Sequence, residues 1–86
     1  MAEYHITFSR SARKELQSLP ASLVQRIFPR IETLFKNPHP KGCRKLKGEK
    51  HLYRIRVGDY RIIYAFHEDE LLVDIIAVRH RKAAYE

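Results

Sequence analysis

Two strand-like runs, joined by a Gly-Asp pair, constrain the fold of this chain more than any other feature. Residues 52–57 alternate apolar and polar side chains near their end, which is typical of a half-buried strand, and residues 60–66 form a β-branched and aromatic run with a single charge at Arg61. Gly58-Asp59 suits a tight turn between them, because glycine adopts a positive φ at little cost. The sequence therefore predicts a β-hairpin with one buried face and one uncovered face.

Two further strands are predicted elsewhere along the chain. Residues 4–8 alternate apolar and polar side chains, as the first hairpin strand does. Residues 71–78 form a nearly continuous apolar run that is interrupted at Asp74, and such a run is typical of a central strand. Together with the hairpin, these segments predict a sheet of four strands.

Two helices are predicted between the first strand and the hairpin, over residues 11–18 and 21–36. Either Ser9 or Ser11 can cap the first helix by accepting a hydrogen bond from a free backbone N–H. Pro20 separates the helices, because the residue before a proline is pushed out of helical geometry. The second helix carries a continuous apolar stripe at three- and four-residue steps, so one of its faces is expected to be buried.

Pro29 lies in the middle of that stripe, and its missing N–H and its ring predict a bend in a helix that otherwise continues. The predicted order β-α-α-β-β-β describes a single α+β domain over residues 1–86. In it, a two-helix hairpin packs on one face of a small, mostly antiparallel four-stranded sheet. Three alternate side chains of the β-hairpin are expected to face the helices: Tyr53, Ile55 and Val57. Arg54 and Arg56 then lie on the uncovered face.

The positive charge is concentrated in one part of the chain. Seventeen Lys and Arg residues oppose ten Asp and Glu residues, a formal net charge of +7. Eight of the basic residues and two of the acidic residues fall between positions 41 and 61. Such a local excess attracts polyanions and speeds their encounter. A solvated lysine-rich loop explains residues 41–50 equally well when they are taken alone, but the arginines that follow in predicted strands favour nucleic acid.

Composition excludes several classes of protein. No apolar run approaches the ~20 residues of a membrane-spanning helix. The N-terminus lacks the basic and then apolar pattern of a secretory signal, so we expect a cytoplasmic protein without a membrane partner. Cys43 is the single cysteine, which excludes an internal disulfide, and the five histidines have no ligand-like spacing. We therefore expect no metal site and no cofactor.

The uncovered face of the sheet is the predicted functional site. Arg54 and Arg56 come from one hairpin strand and Arg61 comes from its partner, while Arg79, Arg81 and Lys82 come where the last strand ends. Guanidinium groups bind phosphate bidentately and stay charged at any physiological pH. Tyr85 adds a ring that can stack on an unpaired base. Each arginine alone is more simply an ordinary surface residue, but four or more on one face favour binding of single-stranded nucleic acid.

With these residues identified, the sequence resembles the RelE/ParE superfamily of bacterial and archaeal toxin–antitoxin toxins, and within it the RelE branch of messenger-RNA-cleaving enzymes. The likeness covers essentially the whole chain, including the first strand and the helical hairpin. The segments that carry it are Leu46-Lys47-Gly48, Tyr53-Arg54-Ile55-Arg56-Val57-Gly58-Asp59-Tyr60-Arg61-Ile62-Ile63-Tyr64, Val78-Arg79-His80-Arg81 and Tyr85. The second segment is specific to the superfamily, whereas Arg81 together with Tyr85 favours the RelE branch.

The resemblance implies a toxin that is neutralised by a cognate antitoxin and that cleaves messenger RNA in the A site of the 70S ribosome. It implies an endoribonuclease reaction without a metal, in which a ribose 2′-hydroxyl attacks the adjacent phosphate and leaves a cyclic phosphate and a 5′-hydroxyl. Because the substrate brings its own nucleophile, the protein mainly has to position it and stabilise charge. The superfamily also contains ParE-like inhibitors of DNA gyrase, so gyrase inhibition without nuclease activity is the alternative.

By the same resemblance, Arg61 holds the scissile phosphate, Arg81 stabilises the transition state and Tyr85 stacks on or orients a base. Arg54 and Arg56 are expected to bind RNA. Three lysines are expected to contact the ribosomal RNA backbone: Lys45, Lys47 and Lys50. The best-known relative has lysines where this chain has Arg54 and Arg56, so the resemblance does not extend to these positions. An arginine essentially cannot be deprotonated and so cannot act as a general base.

The general base is therefore left open by the sequence. His80 directly precedes Arg81 and is the first candidate, because a histidine can exchange protons near neutral pH. His51 and Tyr85 are the alternatives on this chain, and the ribosome itself is another source of activation. Both histidines are expected to border the basic face.

Overall fold

The structure, a computed structural model, describes residues 4–82. Within that range the elements are β1 (His5–Phe8), α1 (Arg10–Gln17), α2 (Ala21–Thr33), β2 (Arg44–Lys45), β3 (Leu52–Val57), β4 (Tyr60–His67), a 3-10 turn (Glu68–Glu70) and β5 (Leu72–His80). Both predicted helices and all four predicted strands are present, so the α+β class is confirmed. The bounds differ from the predicted ones by at most three residues. No helix in this range is long and apolar enough to cross a membrane.

The strands form one mixed sheet in the order β1-β5-β4-β3-β2. β1 runs parallel to β5, and the other neighbouring strands are antiparallel. A fifth strand corrects the predicted count of four, because Arg44 and Lys45 pair with Arg54 and Tyr53 at the edge of the sheet. The sequence pattern could not reveal β2, since two basic residues show no apolar alternation and pair only because β3 lies beside them.

Local interactions determine where the helices begin. The Ala12 N–H donates a hydrogen bond to the Ser9 hydroxyl at 3.0 Å, so Ser9, not Ser11, caps α1. α2 starts directly after Pro20, as predicted, because a proline fits the first positions of a helix but not its interior. The two short helices thereby form the predicted helical hairpin.

Pro29 does not interrupt α2, which runs unbroken from Ala21 to Thr33. Pro29 is exposed, and so is Gln25, whose carbonyl would normally accept the N–H that a proline lacks. Because both residues lie on the solvent side, water can replace the missing hydrogen bond. The apolar stripe therefore continues on the buried side of α2.

The helices cover the sheet face that the alternation of the hairpin predicted. Ile55 and Val57 belong to the buried core, and Tyr53 packs against it. The largest fully buried side chains are Ile27, Ile31, Leu34, Ile55, Ile62, Tyr64, Val73 and Ile75. Burying an aliphatic side chain of this size contributes about 1.5–3 kcal/mol to folding. The hydrophobic side of the sheet is thus fixed, and the arginines of β3 project from the opposite side.

A bulge in β5 reverses the facing of its last residues. The pairing of β5 with β4 steps from Ala77 to Ile75 and skips Ile76. One extra residue moves every following side chain to the other face of a sheet. The Ser9 hydroxyl donates to the Ile76 carbonyl at 2.8 Å, which ties the bulge to the start of α1. As a result His80, which pairs with a helix-facing residue of β4, lies on the helix-covered face.

Glu15 on α1 covers the edge of β5 beyond the end of β1. β1 pairs with β5 only as far as Ile75. Past that point, Glu15 Oε1 accepts a hydrogen bond from the Val78 N–H at 2.7 Å, and Glu15 Oε2 accepts one from Arg79 Nε at 3.2 Å. An unpaired backbone donor at a sheet edge can recruit other strands. The carboxylate therefore takes the place of a missing strand and holds the C-terminal half of β5.

Candidate functional site

The turn between β3 and β4 brings the end of the described chain back to the hairpin. Gly58 has a φ of +59°, which glycine reaches without strain. Next to this turn, Arg56 and Arg61 are direct partners across the two strands. The Arg81 N–H donates a hydrogen bond to the Asp59 carbonyl at 2.7 Å. This bond holds the first residue after β5 beside the two hairpin arginines.

A cavity of about 420 Å³ opens at this end of the sheet. Its lining residues are Arg56, Gly58, Asp59, Tyr60, Arg61, Arg81 and Lys82. Among the described residues, the charged side chains that line the cavity are thus three arginines, one lysine and one aspartate. Clefts lined mostly by one sign of charge focus the electric field and raise the local concentration of counter-ions. We call this recess the cationic cavity; an anionic group such as a phosphodiester fits its charge.

Arg61 is the most buried cation of the cationic cavity, with 6% of its surface exposed. It lies on the sheet face opposite the helices, as predicted, but its side chain is enclosed rather than open to solvent. Its cross-strand neighbours are Arg56 and Arg79, so three arginines lie side by side across β3, β4 and β5. Arg79 pairs with Glu15 at the edge of this arginine row, whereas Arg56 and Arg61 line the cavity, where a bound anion would add attraction.

The other predicted RNA-binding residues do not line the cationic cavity. Arg54 is two residues further from the turn and pairs with Arg44 of β2. The predicted lysines are all exposed, in β2 or in the turn that follows it: Lys45, Lys47 and Lys50. We call these five residues of β2, its turn and β3 the basic border. It lies along the β2–β3 side of the sheet.

Neither histidine that the sequence suggested as a proton carrier lines the cationic cavity. The His80 ring packs edge-on against Tyr60 with a centroid distance of 5.4 Å, and His80 Nδ1 accepts a hydrogen bond from the Lys82 N–H at 3.3 Å. The β5 bulge explains why His80 is not on the basic face, where it was expected. His51 lies at the far end of β3, with its ring 5.5 Å from that of His67. Their roles in proton transfer stay predictions.

Tyr85 falls outside the described residues, so its part in base stacking also stays a prediction. Lys82, expected on the basic face together with Arg81, lines the cationic cavity. One cation at this end of the molecule was not predicted. Arg26 of α2 lies against the hairpin turn, with one guanidinium nitrogen 3.1 Å from the position that a Cβ would take on Gly58. A contact between a helix and a distant turn leaves no trace in a local sequence pattern, which is why Arg26 was missed.

The opposite end of the sheet has a different chemical character. A cavity of about 420 Å³ there is lined by His39, His51, Tyr53, Phe66, His67, Glu68, Asp69 and Glu70. Nearby, the buried Tyr64 hydroxyl donates a hydrogen bond to the Pro38 carbonyl at 2.5 Å. Burial raises the pKa of the Tyr64 phenol, and the neighbouring Cys43 side chain raises it further. Over residues 4–82, no three His, Cys, Asp or Glu side chains are grouped so that they could hold a metal ion.

Comparison with known proteins identifies relatives that are similar in sequence and in fold. Residues 6–85 match the family model described as the ParE toxin of the type II toxin–antitoxin system parDE. Toxin RelE of Mycobacterium tuberculosis is 34% identical over 95% of this chain and 86% of its own length. Toxin RelE3 of Methanocaldococcus jannaschii is 32% identical over 94% of each chain. RelE in the archaeal RelE–RelB complex from Pyrococcus horikoshii is 30% identical, with a TM-score of 0.81 over 93% of this chain and 97% of that one.

Fold and comparisons together define a small toxin of a toxin–antitoxin module. The family match spans nearly the whole chain, and the curated relatives are named as RelE toxins. The chain therefore belongs to the RelE/ParE toxin family, as a toxin of the RelE type. The resemblance drawn from the sequence is thereby confirmed.

Proposed function

We propose that this toxin is a ribosome-dependent endoribonuclease that cleaves messenger RNA in the ribosomal A site. The observation that carries the proposal is the cationic cavity, where Arg56, Arg61 and Arg81 meet from β3, β4 and the segment after β5. Three guanidinium groups from separate segments suit a phosphodiester that must be held and charge-stabilised. The RelE names of the curated relatives support the RNA-cleaving branch.

The cationic cavity suits a reaction in which the substrate supplies the nucleophile. The ribose 2′-oxygen bonds to the adjacent phosphorus, the bond from phosphorus to the 5′-oxygen of the next nucleotide breaks, and a cyclic phosphate and a 5′-hydroxyl remain. Negative charge builds up on the phosphoryl oxygens on the way, and fixed cations stabilise it without reorganising. Arg61, enclosed in the sheet, would hold the scissile phosphate. Arg81, exposed beside the turn, would stabilise the leaving oxygen, which takes up a proton from solvent to become the 5′-hydroxyl.

The 2′-hydroxyl must also lose a proton, and no arginine can accept it. Tyr85 is the proposed acceptor on this chain, with the ribosome as a further source of activation. His80 and His51 are less well supported, because His80 lies on the helix-covered face and His51 lies at the opposite end of β3. Comparing the cleavage rates of Tyr85→Phe and Tyr85→Ala separates the two uses of that residue. The phenylalanine variant keeps the ring for stacking and removes only the hydroxyl.

The surroundings of the cavity are consistent with a ribosomal substrate. The exposed lysines of the basic border would contact ribosomal RNA, and Arg54 with Arg56 would guide the message along β3.

The P. horikoshii relative is a RelE in complex with RelB. We infer that this toxin, acting in the cytoplasm as one domain over residues 1–86, is likewise neutralised by a cognate antitoxin.

Primer extension on a ribosome-bound message tests the nuclease proposal. The wild-type protein should cut within the A-site codon, and Arg81→Ala should cut about 10²-fold more slowly, because loss of one charge-stabilising donor has roughly that effect. Arg61→Met preserves the volume of the enclosed side chain and should show a similar loss. Arg13→Ala, on the exposed side of α1, is the control and should cut normally. Wild-type cleavage rates in both cavity variants, or no cleavage by the wild type, would refute the proposal.

Inhibition of DNA gyrase is the second candidate, because the matching family model is named for ParE. It predicts a DNA-damage response and loss of supercoiling activity in vitro, without RNA fragments. It also predicts a toxicity that is indifferent to Tyr85→Ala. A supercoiling assay with purified gyrase, run beside the primer extension, distinguishes the two candidates.

A further inference from the structure

We propose that Arg26 on α2 extends the cationic cavity across the hairpin turn and binds the backbone phosphate of the nucleotide next to the scissile linkage. The inference rests on the proposed endoribonuclease function, since it assumes that single-stranded RNA enters the cavity. It adds a second phosphate subsite on the helix side of the turn, which neither the sequence pattern nor the family comparison indicates.

The position of Arg26 is determined by its packing on Gly58. Arg26 Nη2 lies 3.1 Å from the position of a Cβ on that glycine, and Arg26 Cζ and Nη1 lie 3.8 and 4.0 Å from it. Gly58 itself lines the cationic cavity. The guanidinium therefore lies against the helix side of the turn, while Arg56 and Arg61 come from the opposite face of the sheet. Because glycine has no side chain, Gly58 adds no side-chain atoms between the two groups of cations.

The charge of Arg26 is available for a ligand. Among residues 4–82, no carboxylate forms a salt bridge with Arg26, and the pair nearest to this part of the sheet joins Arg79 to Glu15. The residues one helical turn away, Ser22 and Arg30, carry no negative charge either. An exposed arginine normally loses side-chain entropy when it binds. Contact with the turn restricts Arg26 beforehand and so lowers that loss.

The chemistry of this pair of subsites fits an extended polyanion better than a single ion. One phosphate would occupy the cationic cavity between Arg61 and Arg81, and the strand would then cross the turn towards α2. Tyr60 lies on the helix-covered face and also lines the cavity. A guanidinium recognises each phosphodiester in the same way whatever the base. Arg26 should therefore add affinity without adding sequence preference.

The first test measures binding, with cleavage blocked. A fluorescent single-stranded RNA carrying 2′-O-methyl groups is titrated with wild-type protein, Arg26→Ala, Arg26→Lys and the control Arg30→Ala over a series of KCl concentrations. Arg26→Ala should weaken binding about tenfold, as expected for a lost hydrogen bond to a charged group. It should reduce the slope of log K against log salt by about 0.7, the value for one phosphate contact on a single strand. Arg26→Lys should retain most of the affinity, and Arg30→Ala should keep the wild-type slope.

The second test measures cleavage of the ribosome-bound message by the same variants. Arg26→Ala should raise KM and leave kcat within about twofold, because Arg26 does not touch the reacting atoms. In the binding assay, a poly-glutamate peptide of the same length as the RNA serves as an alternative ligand. If Arg26→Ala weakens binding of the peptide and spares binding of the RNA, the subsite belongs to an acidic protein segment and the proposal is wrong.

The outcomes separate this inference from the proposed function. A wild-type protein that binds the RNA with the expected dependence on Arg26 but does not cleave refutes the nuclease proposal and supports the phosphate subsite. Equal salt slopes for Arg26→Ala and Arg30→Ala overturn the subsite, as does a wild-type protein that does not bind the RNA at low salt. Thermal unfolding of each variant checks that the exposed substitution leaves the fold intact.

Discussion

Tyr64 shows how one side chain can hold a loop on the core. Its ring is fully buried, and its hydroxyl reaches the Pro38 carbonyl in the loop between α2 and β2. A buried carbonyl that loses its donor keeps the cost of desolvation, so the loop depends on this hydroxyl. Cys43 lies in the same loop and packs against the core. The single cysteine is thus explained by packing.

Removing the Tyr64 hydroxyl should weaken the fold without changing the surface. Tyr64→Phe is expected to lower the free energy of unfolding by about 1–2 kcal/mol, because the Pro38 carbonyl is left without its donor. Urea unfolding at pH 7 measures the change. Tyr53→Phe, whose half-buried ring stacks on that of Tyr64, is the control and should have a smaller effect. An unchanged midpoint for Tyr64→Phe would show that the hydrogen bond contributes nothing.

The same phenol predicts how stability depends on alkaline pH. Because burial raises the pKa of Tyr64 above its usual value, the native state holds the phenolic proton more tightly than the unfolded chain. This contribution is complete below the ordinary tyrosine pKa of about 10 and is lost as the pH rises beyond it. The wild-type protein should therefore lose stability between pH 10 and 11 more steeply than Tyr64→Phe. Parallel pH curves for the two proteins would contradict this reasoning.

At the scale of elements, the end of β5 is held by a helix rather than by a strand. Glu15 accepts hydrogen bonds from the backbone of Val78 and from the side chain of Arg79, just before the chain reaches Arg81. The ion pair itself is partly exposed, with 42% of the Arg79 side chain accessible, and contributes little after solvent screening. The backbone bond is therefore the more important of the two.

Substitutions of Glu15 should separate these two bonds. Glu15→Gln keeps an oxygen for the Val78 N–H and should cost well under 1 kcal/mol, whereas Glu15→Ala removes both bonds and should cost about 1–2 kcal/mol. Hydrogen exchange at the Val78 amide should accelerate in Glu15→Ala alone. Glu32→Ala, on an exposed part of α2, is the control. Equal exchange rates in all of these proteins would mean that Glu15 does not protect the strand edge.

The helices and strands differ in how far the sequence could predict them. The helical hairpin and the β-hairpin carry long, regular apolar patterns, so their existence and their buried faces could be derived. β2 could not, because a two-residue basic strand has no pattern of its own. The common face of Arg56 and Arg61 followed from strand alternation and the tight turn. The positions of His80 and Arg81 could not be derived, because the bulge at Ile76 and the bond from Arg81 to Asp59 depend on contacts that are distant in sequence.

At the scale of the whole molecule, the charges are separated along the sheet. The cationic cavity occupies one end, and the 3-10 turn at the other end carries three consecutive acidic residues, Glu68 to Glu70. Within the arginine row, Arg79 pairs with Glu15, while Arg56 and Arg61 line the cationic cavity, where a bound anion would add attraction. The fold is therefore expected to be more stable when an anion occupies the cationic cavity.

Inorganic phosphate should stabilise the free toxin more than chloride at the same ionic strength. At a phosphate concentration ten times its Kd, linkage gives about 1.4 kcal/mol, which corresponds to a rise in Tm of roughly 5–10 °C for a domain of this size. Arg81→Ala should respond less than the wild type, and Arg13→Ala should respond equally. Differential scanning fluorimetry measures all of them. The same Tm in both salts would show that the arginine row does not bind phosphate.

The unpaired residue in β5 has a consequence for engineering this scaffold. Deleting Ile76 would remove the bulge but leave the facing of Arg79 and His80 unchanged, because Ala77 to His80 already pair with β4 as if Ile76 were absent. A regular strand that kept Ile76 would instead place an imidazole beside the hairpin arginines and force a guanidinium under the helices. Any attempt to graft a titratable group into the cavity through β5 must therefore count positions from the C-terminal side of that insertion.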